Sequence, residues 1–122
     1  MLKRDTIYVQ IYKDRLVVRN TDTGASTTVA RDQTFASPRM LVADFTMAEH
    51  QLRSALKEVK RGFFSPELLV HPMELIEGGI TQVEYRTFME LGVGAGASKV
   101  GVWEGKVLPD DRVRQAIHDY KH

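Results

Sequence analysis

The sequence predicts a single α/β or α+β domain in which helices cover a mixed sheet, and three observations carry that expectation. Residues 6–30 alternate β-branched and aromatic residues with polar ones and are interrupted by two turn signals, as a strand meander requires. Two helix-start patterns of the form Thr-x-x-Glu then precede amphipathic runs. Leu68-Leu69-Val70-His71 and residues 99–103 are apolar runs too short for helices, so they read as strands between and after the helices. A chain of 122 residues with 43% hydrophobic content buries one ordinary core, which places residues 1–122 in one domain.

Each element has a local reason. Residues 6–12 form the first strand, Lys13-Asp14-Arg15 a tight turn, and residues 16–20 the second strand. Thr21-Asp22-Thr23-Gly24 supplies the next turn before a Thr- and Val-containing third strand over 26–30. The stretch 32–39 contains a proline and no periodicity, so it reads as a connecting loop. Thr46-Met47-Ala48-Glu49 has the form of a capping box, and Leu52, Ala55, Leu56 and Val59 recur on one face of the helix it opens. Gly62 and Pro66 bracket the end of that helix. Thr81-Gln82-Val83-Glu84 repeats the box for a second helix, in which Tyr85, Phe88 and Met89 cluster. Pro109-Asp110-Asp111 opens a last helix with the apolar stripe Val113, Ala116, Ile117 and Tyr120.

Composition excludes several classes of function. With 17 basic and 16 acidic side chains the net charge is +1, which provides no broad field for nucleic acid or an anionic membrane, so any electrostatic contact is local. The absence of cysteine excludes disulfides and thiolate metal sites and fits a reducing cytoplasm. The N-terminus has no secretory pattern, and no uncharged apolar run is long enough to span a bilayer, so the expectation is a soluble cytoplasmic chain.

Two segments go beyond periodicity. Gly79-Ile80-Thr81-Gln82-Val83-Glu84-Tyr85-Arg86 and Gly94-Ala95-Gly96-Ala97-Ser98-Lys99-Val100 resemble the G-x-T-Q-V-E-x-R and G-A-G-A-x-x-V segments of the bacterial actin homologue MreB. Met40-Leu41-Val42-Ala43-Asp44-Phe45 is similar to the G-V-I-A-D-F segment before that family's first long helix. The resemblance covers about half the chain, from residue 40 to 102. It implies the ribonuclease H-like fold of an actin-like ATPase subdomain, the portion called subdomain IA: a five-stranded mixed sheet in the order β-β-β-α-β-α-β-α, with helices covering the sheet.

The departures from that family bear on activity. Its phosphate hairpin has the form D-x-G-T, and the matching positions here are Val9-Gln10-Ile11-Tyr12, without the carboxylate or the glycine. The family's Glu-Pro after the fifth strand corresponds to Gly105-Lys106, with Glu104 one place early, where it reads as an exposed strand-end acid. The second half of an actin-like ATPase does not fit in 122 residues, and the short link from the third strand to Met40 leaves no room for subdomain IB. A ribonuclease H-like nuclease needs converging carboxylates, one of them on the first strand, which has none. Gly92, Gly94 and Gly96 lack the lysine and spacing of a P-loop and read as helix termination and close packing. Among the histidines, only His118 and His122 have helical metal-site spacing, at a chain end where a metal site is not expected. The expectation is therefore no enzyme activity, no catalytic residue, no cofactor and no metal.

One loop offers a contact site. Phe63 and Phe64 stand where the resemblance implies apolar residues that insert into the inner membrane face, with Lys60 and Arg61 placed to meet lipid phosphates, and two adjacent aromatics in an extended segment do not both point into the core. The alternative is that both rings pack under the helix end. Burial of one ring in an interface contributes roughly 1.5 to 3 kcal/mol, enough only for weak, reversible attachment. The functional expectation is a truncated, non-catalytic MreB-like protein in cell shape or cytoskeletal organisation. Its partners would be an MreB filament, another morphogenesis protein or the membrane surface, and not nucleic acid. The alternatives are a residual nucleotide-binding module completed by homodimerisation, and a structural relic or small adaptor with an unrelated partner. The apolar-acidic stretch 73–77 reads equally as a loop or an interface.

Overall fold

A computed structural model describes residues 4–31, 42, 44–62, 64–74 and 78–119. Its elements are β1 (Thr6–Ile11), β2 (Arg15–Asn20), β3 (Ser26–Ala30), α1 (Phe45–Val59), β4 (Glu67–Pro72), α2 (Gln82–Gly94), β5 (Lys99–Val102) and α3 (Asp110–Asp119). The expected order and the five-stranded mixed sheet are both present, with strand order β3-β2-β1-β4-β5. β1, β2 and β3 pair antiparallel, and β4 and β5 continue parallel from β1. The loop expected over 32–39 lies outside the described residues, as do Met40, Leu41, Ala43 and Tyr120.

Strand alternation sets two unequal cores. Ile7, Val9, Ile11, Leu16, Val18, Leu68, Val70, Val100 and Val102 face α1 and α2, where they meet Leu52, Ala55, Leu56, Phe88 and Leu91. Tyr8 and Leu69 face the other way and pack with Val113 and Ile117 of α3. Because β1 and β4 carry helices on both sides, they are buried almost throughout, whereas β3 at the edge alternates half-buried and exposed.

Helix starts divide into one expectation met and one corrected. At α2, the Thr81 hydroxyl accepts the Glu84 amide at 3.1 Å and the Glu84 carboxylate accepts the Thr81 amide at 3.0 Å, which completes the capping box. α1 instead begins two residues before the expected box. Asp44 is its N-cap and accepts the Met47 amide at 3.1 Å, leaving Thr46 exposed inside the first turn. The earlier start brings Phe45 onto the core, and a carboxylate at the cap also meets the positive end of the helix dipole.

The glycine run behaves as read. A methyl group on Gly92 would lie 2.7 Å from a Val100 methyl, so this position lets α2 settle directly on β5. Gly96, at φ +111°, turns the chain out of the helix while Ala97 N–H reaches back to the Gly92 carbonyl at 3.1 Å.

At the amino end of the sheet, Asp5 is almost fully enclosed and is held by the Arg61 amide at 2.6 Å and the Arg61 Nε at 2.8 Å. Burial alone would raise its pKa, but the hydrogen bonds and charge of Arg61 outweigh it, so the carboxyl sits below its usual range. Asn20 closes the same end: its amide donates to the Val59 carbonyl at 3.0 Å, and its oxygen accepts the Asp22 amide at 3.0 Å.

Candidate functional site

In open α/β sheets, ligands gather outside the carboxyl ends of the parallel strands, because backbone amides and helix N-termini converge there. Here that rim consists of the β1–β2 hairpin at Tyr12 to Arg15, the continuation of β4 at Met73 and Glu74, the approach to α2 at Gly79 and Ile80, and the segment after β5 that contains Glu104 and Gly105.

The rim is lined by groups that already have partners inside the chain. In the hairpin, the Arg15 guanidinium stacks 3.7 Å from the centre of the Tyr12 ring, and Arg31 donates to the Tyr12 carbonyl. The Lys13 amide, at the turn where a phosphate hairpin presents N–H groups, donates to Glu74 Oε2 at 2.6 Å. Across the rim, the Ile80 amide donates to Glu104 Oε2 at 2.9 Å. Two carboxylates of the chain thus occupy two loop amides where an external anion would bind.

Beneath the rim lies a buried polar chain. Tyr8 O–H donates to His71 Nδ1 at 2.6 Å, and His71 Nε2–H donates to the Gly105 carbonyl at 3.0 Å. Leu108 N–H donates to the Tyr8 oxygen at 3.2 Å. The tautomer follows from complementarity, since a carbonyl only accepts. Burial lowers the His71 pKa, against the opposing effect of the bond to Gly105, and burial raises that of Tyr8. Both are neutral at neutral pH, so the chain ties the 103–108 segment to β1 and β4 without a buried charge. Arg31 has its pKa lowered by burial, which the nearby Glu74 opposes.

The positions aligned with a phosphate hairpin carry no carboxylate and no glycine in space either. Val9 and Ile11 are fully buried in the main core, Gln10 is half-buried and Tyr12 lies under Arg15. Glu104 is an exposed residue, as expected, yet its carboxylate is committed to Ile80. His118 pairs with Glu67 at 2.9 Å, while His122 lies outside the described residues. No group of three or more metal-ligating side chains converges among the described residues. A concavity of about 480 Å³ lined by Trp103, Leu108, Arg112 and Ala116 opens on the α3 side, with its polar groups spread along one helix face.

The contact loop lies at the opposite, amino end of the sheet. Lys60 is the half-buried C-cap of α1, and its amide donates to the Leu56 carbonyl at 2.9 Å. Arg61 is ion-paired with Asp5 at 2.6 Å, so its charge is largely engaged within the fold. Phe64 is 45% exposed and Arg4 lies 5.7 Å over its ring, while Phe63 lies outside the described residues. No described helix is long and apolar enough to cross a membrane.

Sequence reasoning missed Glu74, Arg31 and the Tyr8–His71 pair. Glu74 belongs to the stretch left open as loop or interface, of which residues 75–77 lie outside the described residues. The available signal for His71 was its place between Val70 and Pro72 in an apolar strand, which buries its side chain.

The chain is 31% identical over 97 residues to the uncharacterized protein YjaA of Escherichia coli (strain K12), an alignment that covers 73% of this chain and 75% of that protein. The chain belongs to the YjaA family. No protein-family model matches it. The fold of this YjaA-family chain is similar to that of the ethanolamine utilization protein EutJ from Carboxydothermus hydrogenoformans, with a TM-score of 0.55 and 14% identity. The match covers 85% of this chain and 38% of EutJ, so the chain spans well under half of that structure. The likeness places the YjaA-family chain in the actin-like, ribonuclease H-like fold class.

Proposed function

We propose that this chain is a non-catalytic actin-like unit that works by contact, with an MreB-type filament, another morphogenesis protein, or the membrane surface beside them. The observation that carries this reading is the Glu74 carboxylate on the Lys13 amide. A phosphate approaching the hairpin must displace a charge-assisted bond and then meet like charge, so the rim disfavours a nucleotide instead of receiving it. Glu104 on Ile80 does the same across the rim. For contact, the exposed Phe64 ring with Arg4 above it presents an apolar surface beside a cation.

Two measurements test the proposal. Calorimetric titration with magnesium ATP is expected to be silent, and cosedimentation with polymerised MreB or with anionic liposomes is expected to retain the chain and to be lost in Phe64→Ser. Saturable heat from the nucleotide overturns the non-catalytic reading. Failure to sediment with either partner overturns contact with the filament and with the membrane and removes the support for the contact reading. The competing reading, a nucleotide module completed by dimerisation, draws on the cations Lys13, Arg15 and Arg31 around the hairpin. It requires the titration to succeed.

A further inference from the structure

β3 forms one edge of the sheet, and its hydrogen bonds to β2 determine which backbone groups face outward. Asn20 N–H donates to the Ala25 carbonyl and Arg31 N–H to the Asp14 carbonyl, both at 2.8 Å. With Arg19 opposite Ser26, Val17 opposite Thr28 and Arg15 opposite Ala30, the three β3 residues Ser26, Thr28 and Ala30 direct N–H and C=O away from β2. Gln51 Nε2 reaches the Ala30 carbonyl at 3.3 Å. Among the described residues, no hydrogen bond reaches the outward groups of Ser26 or Thr28.

Edge strands are normally blunted by charge, proline, a bulge or a covering element. Ser26-Thr27-Thr28-Val29-Ala30 has no charge and no proline, and pairs with β2 in unbroken register. The other edge, β5, is shorter and carries Lys99. α1 packs over β2 and β3, and Gln51 marks the flank of α1 that overhangs the β3 side of the described sheet. Met47 and Ser54, four residues before and three after Gln51, share that flank, and Met47 is 38% exposed. The charged Glu49 and Arg53 lie on the other flank, against Gly94.

We propose that β3 pairs antiparallel with β3 of a second copy of this chain, about a two-fold axis through Thr28. The occupant follows from self-complementarity. About that axis Thr28 faces Thr28 and exchanges both N–H···O bonds with it, while the small side chains of Ser26 and Ala30 face one another. No like charges meet, since the strand carries none. An axis normal to the sheet keeps both α1 helices on the same face, with their Met47–Gln51–Ser54 flanks side by side, which adds area that strand edges alone lack. The two strands run in opposite directions, so the two Lys13-Asp14 hairpins point away from each other. This dimer therefore forms no shared nucleotide cleft, and its existence is independent of the contact function proposed above.

Sedimentation velocity of the full chain from micromolar to submillimolar concentration tests the pairing. A concentration-dependent monomer–dimer equilibrium is expected. Thr28→Pro removes an N–H that β2 does not use, and Thr28→Lys places two like charges at the axis; each is expected to weaken the dimer at least tenfold while leaving the circular dichroism spectrum unchanged. Mixing Thr28→Lys with Thr28→Glu is expected to restore a heterodimer, a gain that misfolding does not produce. A wild type that stays monomeric throughout, a dimer that survives both single substitutions, or a Lys/Glu mixture that stays monomeric overturns the proposal.

Discussion

Replacing Gly92 by alanine tests how α2 is seated. Three effects compete. Alanine in place of a helix-interior glycine gains about 0.8 to 1.0 kcal/mol of helix propensity, and one more buried methyl adds about 0.8 kcal/mol. Against these, the added Cβ would lie 2.7 and 2.9 Å from the two Val100 methyls and 3.4 Å from the Val100 Cβ. Ordinary carbon contacts lie at about 3.5 to 4.0 Å, so α2 would have to lift from β5 by most of an ångström. Rotating Val100 does not remove the contact with its Cβ, and the helix end is tied to the strand approach by the Ala97–Gly92 bond. Overpacking of this kind costs about 1 to 3 kcal/mol. With both Val100 methyls too close, the upper part of that range applies, and the expected net loss is about 1 kcal/mol. That corresponds to a fall of about 3 to 6 °C in melting temperature for a chain of this size.

The assay is urea and thermal unfolding by circular dichroism, with Val100→Ala as the partner. Val100→Ala alone removes two buried methyls and destabilises by about 2 kcal/mol, and the alanine at 92 then occupies the vacated space. The double variant is therefore expected to be at least as stable as Val100→Ala. The resulting coupling is about 1 to 2 kcal/mol, above the scatter of about 0.3 to 0.5 kcal/mol for independent sites. A Gly92→Ala protein as stable as wild type, or two substitutions whose effects simply add, refutes the account of α2 packing.

Three further outcomes follow from the geometry. His71 has a lowered pKa in the folded chain, so the unfolded chain binds the extra proton first and stability falls as pH drops below 6.5 toward the folded value; His71→Gln is expected to flatten that limb in pH-dependent unfolding, and Tyr8→Phe to cost about 1 to 3 kcal/mol by leaving the His71 and Leu108 groups without a partner. Arg61→Ala removes the guanidinium that pairs with the enclosed Asp5 carboxylate while the backbone amide at 61 remains, so the variant is expected to be less stable than wild type in urea unfolding; since the depressed Asp5 pKa stabilises the fold above 3.8 and is lost on acidification, acid unfolding of the variant should begin at higher pH. Asp44→Ala is expected to cost about 0.5 to 2 kcal/mol and Thr46→Ala less than about 0.5 kcal/mol, and the reverse order in thermal melts would place the α1 cap at Thr46 after all.

Where sequence reasoning worked, the cause lay within a few residues. The Thr81–Glu84 box closes over one turn, Gly96 leaves the helix by its own φ, and the alternation of β2 sorts Leu16 and Val18 from Arg15, Val17 and Arg19 without reference to any other segment. The start of α1 shows the limit of local signals. The local pattern pointed to Thr46 as the cap, whereas Asp44 caps the helix in the structure, where Phe45 packs on a core built from distant strands.

The sequence alone therefore determined the order of elements and the faces they bury, because propensity, capping and periodicity are short-range and add along the chain, while the ribonuclease H-like fold was implied by the resemblance of residues 40–102. Tertiary structure alone decided the chemistry at both ends of the sheet. Glu74 meets the Lys13 amide, Asp5 meets Arg61 and Tyr8 meets His71 across separations of 56 to 63 residues. A carboxylate has no local mark that says which distant amide or guanidinium it will satisfy; β1 and β4 must first lie parallel, bringing their ends together, before those pairings exist.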